Sequence, residues 1–381
     1  MGCWTVSTNE RLESLTSWDA DWPGLRVVVT GIGLSGFSAA DTLIELGAKV
    51  VLVDAQDIEE NRAKADTLKI VGAHQVLLGP EHTQSLPLVD GEPAELVVTS
   101  PGWSPRQPLL AAAAAAGIAI WGDVELAWRV RERAGRRTAE WLVITGTNGK
   151  TTTVGLAASM LQAAGLRAIA AGNVGTPVLD AIRDPLGYDV IAVELSSFQL
   201  HWTHHIEPAA SAVLNVAEDH VDWHGSFEAY CADKARIYEH TREACIFNEA
   251  QPETMRMVER ADVQEGCRAV SFTTDTPGLS MLGVVDGILV DRAFLDERAH
   301  QALELGHVED LGPIDLYSCF PAAVELAATE LDLPLDRPLT GNDEVHRVRR
   351  RVRPRRLDAE ARSLDLPKHQ QALRAWLITL E

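Results

Sequence analysis

Trp141 to Thr153 reads WLVITGTNGKTTT, and the fold is decided here. The apolar run Trp141 to Ile144 breaks into the turn Thr145, Gly146, Thr147, Asn148, Gly149, which ends on Lys150, Thr151, Thr152 and Thr153. A small-residue helical pattern follows. Strand, phosphate loop and helix in that order make an anion site, because backbone N–H groups and the positive end of the helix point at one place. Gly146 and Gly149 permit the tight turn, Lys150 can neutralise terminal phosphates, and the Thr151 hydroxyl can reach a Mg²⁺ ion. Residues 145–152 are therefore the candidate ATP-binding positions, and Lys150 is a candidate catalytic residue. The first glycine of GxxxxGK[ST] is absent, since Ile144 stands in its place.

A length of 381 residues predicts two or three domains. An apolar content of 46% and a charged content of 23% belong to an ordinary globular chain. The formal charge of −21 argues against a general binder of nucleic acid or membrane surfaces, so a polyphosphate must be held by local positive groups. Five scattered cysteines without metal-ligand spacing predict a reduced, cytosolic protein. The N-terminus MGCWTVSTNERLESL has no apolar leader core, and Val6 breaks the myristoylation pattern. No apolar run approaches the length of a membrane span.

Upstream of the loop, Arg26 to Thr30 reads as a buried strand followed at once by Gly31-Ile32-Gly33-Leu34-Ser35-Gly36. Phe37 to Gly47 has helical spacing, and Lys49 to Val53 is a second strand ending in Asp54. This βαβ unit with GxGxxG and a following acidic residue predicts a Rossmann-like domain. The same glycines also suit close helix–strand packing with no ligand at all. Leu96 to Thr99 is a further strand, and Ser100-Pro101-Gly102 turns the chain at the sheet edge where open α/β folds bind ligands. Pro108 to Gly117, with its six alanines, reads as a packed or surface helix. The first boundary is placed near Trp121, ahead of GDVEL.

Downstream of the loop come Asn173 in AAGNVGTP, Glu194 at the end of the apolar run Val190 to Val193, and NVAEDHVDWHG with Asn215, Glu218, Asp219, His220, Asp222 and His224. A strand-end carboxylate beside a phosphate loop is well placed to hold Mg²⁺. Singly, each of these residues reads equally as a hydrogen-bonded structural group. Lys234 sits in DKARI on a helical pattern that begins near Phe227, and alone reads as an exposed helix lysine. Beyond about Leu311 the pattern changes, and VHRVRRRVRPRR at 345–356 reads as a solvated arginine run, with an anion-binding arm as the alternative.

The ordered set GIGLSG, SPG, GDVEL, TGTNGKTTT, GNVGTP, ELSSFQL, NVAEDHVDWH and DKARIY resembles the Mur ligases of peptidoglycan synthesis, and among them the branch that adds D-glutamate to UDP-N-acetylmuramoyl-L-alanine. The resemblance runs from about Leu25 to Asn248 and implies an ATP-dependent amide ligase working through an acyl phosphate. Its fold would be a Rossmann-like N-terminal domain (1–121) followed by a P-loop-type α/β central domain (122–343) that binds ATP. Position by position it implies Thr151 and Glu194 near one Mg²⁺, His220 on a second, and Lys234 carbamylated as a further metal ligand, so that Lys150, His220 and Lys234 are the catalytic set. Ser35, Asp54 and Gly102 would hold the UDP moiety, and Asn173 the muramoyl-peptide end. The implied partners are UDP-N-acetylmuramoyl-L-alanine, D-glutamate and ATP, on a monomer.

Departures gather toward the C-terminus. Gly312 to Ser318 stands where the family has an HN pair, His346-Arg347 matches an HR pair, and Arg362 to Pro367 retains little of the family's DSKATN. Residues 344–381 are expected to be a degraded start of a C-terminal domain, whose remaining ~100 residues are absent. Such a chain is expected to bind the UDP-substrate yet ligate poorly, with any ATP turnover uncoupled from D-glutamate. A non-catalytic nucleotide-binding remnant and, from GIGLSG, a nicotinamide-dependent dehydrogenase are the competing readings. Lys150 in a second phosphate loop counts against the dehydrogenase.

Overall fold

The computed structural model describes residues 8–308. A helix α1 (Thr8–Ser14) precedes a first sheet of β1 (Arg26–Thr30), β2 (Lys49–Asp54), β3 (Gln75–Leu78), β4 (Leu96–Thr99) and β5 (Ala119–Gly122), in the order β3-β2-β1-β4-β5. Every pairing in it is parallel. Helices α2 (Leu34–Glu45), α3 (Glu59–Val71) and α4 (Pro108–Ala115) make the crossovers. Val27, Val28 and Val29 are fully buried, as are residues 50–53, because strands covered by helices on both faces have no solvent side. The strand order reverses between β1 and β4, and their carboxyl ends open the crevice where ligands of such sheets sit.

The glycine loop lies at that reversal. Gly36 brings α2 so close that a Cβ there would stand 1.9 Å from the Gly31 carbonyl oxygen and 2.6 Å from Ser100 Oγ. A Cβ at Gly33, by contrast, would meet nothing within 4 Å. Helix α2 starts at Leu34, three residues before the apolar periodicity that announces it, because the glycines carry the first turn.

Helix α5 (Asp123–Val130) is buried along its whole length and leads into the second sheet. That sheet contains β6 (Glu140–Thr145), β7 (Ala168–Gly172), β8 (Val190–Glu194), β9 (Ala210–Val213), β10 (Ala244–Asn248), β11 (Arg268–Phe272), β12 (Met281–Val285), β13 (Ile288–Asp291) and β14 (Leu303–His307). Its order is β14-β13-β12-β11-β10-β9-β6-β8-β7. Pairing is parallel from β7 to β12 and antiparallel through β13 and β14. Helices α6 (Lys150–Ala163), α7 (Val178–Arg183), α8 (Ser197–His201), α9 (Val221–His224) and α10 (Phe227–Ala235) are the ones that bear on the site.

Contacts between the two sheets run through α2, α5 and α7. Arg183 on α7 pairs with Asp41 and Glu45 on α2 at 2.6 and 2.8 Å. Glu125 on α5 is wholly buried and accepts from Arg129 Nε at 2.8 Å and from the backbone N–H groups of His204 and His205. Burial pushes its carboxyl up, but the His205 and His204 hydrogen bonds and the Arg129 charge outweigh that and bring it down to about 2. β5 ends at Gly122, beside the boundary expected at Trp121. The boundary near Asp343, residues 344–381, and the departures at 312–318, 346–347 and 362–367 all lie outside the described residues.

The contrast between two glycines makes a test. Gly36→Ala is expected to destabilise the protein by about 3 kcal/mol or more, since backbone must shift to admit the methyl group. Gly33→Ala, in open space at the helix start, is expected to cost no more than about 1 kcal/mol. Chemical denaturation of both variants checks the pair, and equal losses would contradict the packing described.

Candidate active site

Register places the site before any side chain does. Ile144 pairs with Glu194 and Gly172 pairs with the same residue from the other side, while Thr145 pairs with Val213. The carboxyl ends of β6, β7, β8 and β9 therefore meet at the phosphate loop. Gly149 adopts φ 82° as the N-cap of α6, a left-handed conformation that a side chain would oppose. Asn215 clasps the loop reciprocally: its Oδ1 accepts from Asn148 N at 2.9 Å and its Nδ2 donates to Asn148 O at 3.1 Å. Thr147 Oγ1 lies 2.9 Å from Tyr230 Oη and accepts from Ala217 N at 2.9 Å.

Lys150 Nζ donates to the carbonyls of Gly146 and Thr147, both at 3.0 Å. Lys234 is 2% exposed, donates to the same Gly146 carbonyl at 2.9 Å and to Thr145 Oγ1 at 3.2 Å, and lies over the Tyr230 ring. The helix lysine that reads as exposed in the sequence is in fact among the most buried large side chains. Burial and then the Lys150 charge push it down to about 7, with Asp219 pulling the other way.

Glu194 is 1% exposed, and its two oxygens accept from Thr151 Oγ1 at 2.8 Å and Asn173 Nδ2 at 3.1 Å. A buried carboxylate served by neutral donors beside a phosphate loop fits a divalent cation, which would balance its charge. His220 has a half-exposed side chain, with its ring 4.7 Å from that of Phe198 and Nε2 3.4 Å from Asp219. Among the described residues no three His, Cys, Asp or Glu side chains converge as a ready coordination shell. Thr151 and Glu194 thus bond to each other and Lys234 bonds to the loop, whereas His220 is placed by Phe198 and Asp219. Thr152 is exposed in the first turn of α6.

At the first sheet, Asp54 Oδ2 accepts from Ile32 N at 2.8 Å and Oδ1 from Gln56 N at 2.7 Å, so the strand-end carboxylate is bound to the glycine loop. Gly102 is exposed in the turn after β4. Ser35 opens α2 next to the wholly buried Asp123, whose carboxyl burial pushes up while Gln199 and Ser35 hydrogen bonds counter it. Ser100 Oγ is buried there without a hydrogen-bond partner among the described residues. Asn173 belongs instead to the second sheet, beside Glu194.

Comparison with known proteins meets this geometry. The Mur ligase middle domain matches residues 144–282, and the N-terminal domain of MurD-like Mur ligases matches 25–122. A UDP-N-acetylmuramoylalanine–D-glutamate ligase of Leifsonia xyli subsp. xyli is 50% identical over 336 residues. The chain belongs to the Mur ligase family. The Leifsonia match covers 86% of this chain and 64% of that relative. Proteins of the same name from Streptomyces avermitilis and Tropheryma whipplei are 55% and 44% identical, over 77% and 79% of this chain and 61% and 62% of theirs. This Mur ligase chain therefore spans a little under two thirds of the length of these relatives. No helix among the described residues is long and apolar enough to cross a membrane.

Tyr230, Asp123, Ser100, Ser197, His201 and Asp233 do not stand out as site residues in the sequence. Asp123, Ser100, Ser197 and Asp233 lie inside the quoted GDVEL, SPG, ELSSFQL and DKARIY, whereas nothing in the sequence marks Tyr230 or His201. Lys234 supplies a test of the site's electrostatics. Its native value near 7 lies below the ordinary lysine value of about 10.4, so between the two the unfolded chain binds more protons. Stability attributable to Lys234 is then lowest below about pH 7 and rises as pH approaches 10. The unfolding free energy of wild type minus that of Lys234→Met should climb by a few kcal/mol across that window. A flat difference by denaturant titration would contradict the burial argument.

Proposed function

We propose that this chain carries the ATP- and UDP-substrate-binding machinery of a ligase that joins D-glutamate to UDP-N-acetylmuramoyl-L-alanine in peptidoglycan synthesis. The observation that supports it most is the phosphate loop with Glu194 held on it by Thr151 and Lys234 buried against Gly146. The names of the relatives supply the substrates. In this reading a substrate carboxylate oxygen attacks the γ-phosphorus of ATP and ADP leaves. The amine of D-glutamate then attacks the acyl carbon, phosphate leaves, and the nitrogen sheds a proton as the amide forms.

Lys150 neutralises charge where two anions must approach, which is most of what phosphoryl transfer asks of a protein. Mg²⁺, when bound, supplies further neutralisation and alignment of the phosphate oxygens. Glu194 and Thr151 would hold one ion, and His220 with a carbamylated Lys234 the second. Lys234 suits that modification: with its amine near 7, a large neutral fraction exists at physiological pH, and a neutral amine adds to CO₂ with loss of a proton to give a carbamate. Ser35, Asp54 and Gly102 would hold UDP at the first sheet's carboxyl edge, and Asn173 the muramoyl-peptide end. Cys231, Cys245 and Cys267 are free thiols, which accords with a cytosolic setting.

Calorimetric titration of the 381-residue chain with UDP-N-acetylmuramoyl-L-alanine, Mg-ATP and NADH tests the reading. Binding of the first two and not of NADH is expected. Lys150→Ala should weaken ATP binding by ~10-fold or more while leaving UDP-substrate affinity unchanged, since one charge-assisted phosphate contact is lost. Glu194→Gln should remove most of the dependence of ATP binding on Mg²⁺ concentration. Tight NADH binding with no response to ATP would replace the ligase by a dehydrogenase.

A further inference from the structure

Four side chains outside the proposed substrate contacts form a continuous polar relay. Asp233 on α10 accepts from His201 Nδ1 on α8 at 2.9 and 3.0 Å, one distance to each carboxylate oxygen. The same carboxylate lies 2.7 Å from His224 Nδ1 on α9, and His224 Nε2 lies 3.0 Å from Ser197 Oγ at the start of α8. With Nδ1 donating to the carboxylate, Nε2 accepts from the serine hydroxyl, and both ring nitrogens of His224 are satisfied. Burial holds His224 below the ordinary histidine value, although Asp233 pulls it up, so the neutral ring is the form this network favours.

Serine, imidazole and carboxylate in this order also describe an activated nucleophile. Access rules that out here. The His224 side chain is fully buried, Ser197 is 3% exposed, and the Phe198 ring stacks on His224 at 5.5 Å. No acyl group has a path to Ser197 Oγ, so the relay holds elements together and does not attack.

What it holds is informative. Helix α8 begins three residues after Glu194, α9 begins immediately after His220, and α10 carries Lys234. His220 sits at φ 51°, a left-handed conformation that costs a non-glycine residue of order 1 kcal/mol and persists only where its surroundings enforce it. Helix α9 is a single turn without a side-chain cap at its start, so it cannot enforce that conformation by itself. The His224 anchor at its far end, with Phe198 against both histidine rings, can. Consecutive helix residues point about 100° apart, which lets Asp233 face α8 and α9 while Lys234 faces the loop.

We propose that Asp233 is a positioning residue: one carboxylate fastens the segments bearing Glu194, His220 and Lys234 to one another and thereby sets their geometry at the phosphate loop. The role in nucleotide binding rests on the function proposed above, whereas the seating of Lys234 does not. Two measurements keep those apart. First, Asp233→Asn, which preserves shape and removes charge, should raise the Mg²⁺ concentration for half-maximal ATP binding by at least ~10-fold in calorimetry. UDP-substrate affinity should stay near wild type while the unfolding midpoint falls modestly as the two histidine hydrogen bonds weaken, and Asp233→Glu should recover part of the magnesium loss. Second, competitive acetylation of the nucleotide-free protein with acetic anhydride, read by mass spectrometry, should show Lys234 several-fold more reactive in Asp233→Asn. Unchanged Lys234 labelling overturns the proposal whether or not ATP binds. So does a magnesium defect that appears only together with lower stability and weaker UDP-substrate binding. Wild type that binds no Mg-ATP, with Lys234 labelling raised in the variant, would sink the ligase reading and leave the positioning role standing.

Discussion

One carbonyl oxygen, that of Gly146, receives the ammonium groups of both Lys150 and Lys234. Two like charges cannot be brought to one acceptor cheaply, and the loop geometry that forces them together is what the second sheet is built to hold. β6 lies between β8 and β9, Asn215 clamps Asn148 from β9's end, and Tyr230 meets Thr147 from α10. On the buried Lys234, loss of solvent and then the Lys150 charge push the amine toward neutrality. The placing of the two lysines and the acid–base shift of Lys234 thus come from the same turn of backbone.

This arrangement also explains how a chain of net charge −21 can present a phosphate site. The long-range field repels a polyanion, but screening confines that effect, and contact-range donors dominate once the anion is in place. Backbone N–H groups, one helix start and Lys150 concentrate positive potential in a few ångströms. Glu194 lies buried beside that region, held by Thr151 and Asn173, and brings a negative charge next to it.

The phosphate loop and the glycine loop are readable because each is a local signal: strand, glycines and helix follow within a dozen residues. Glu194 is readable for the same reason, as the polar end of an apolar run. Lys234 is not readable from its own surroundings, because its burial comes from Thr145 and Gly146, nearly ninety positions away; only the likeness to a family draws attention to it. Helix α5 is a second such case, since its charged Asp123, Glu125 and Arg129 find their partners inside the protein. The β12–β13 hairpin has a local mark in Asp286-Gly287, both left-handed, a two-residue turn of the kind that joins antiparallel strands. Its two strands, rich in valine and leucine, carry no sign of which sheet edge they extend.

Helix α5 has no solvent-facing residue, and its apolar side chains join one core that draws on both sheets. To pull the sheets apart would bare Val124, Leu126, Trp128 and Val130 to water at once. The two halves therefore share a cooperative unit, in the sense that opening one removes the partner surface of the other. A molecule that settles on the first sheet's edge raises the free energy of that common opening. It consequently slows hydrogen exchange in strands it never touches, those beneath the phosphate loop included.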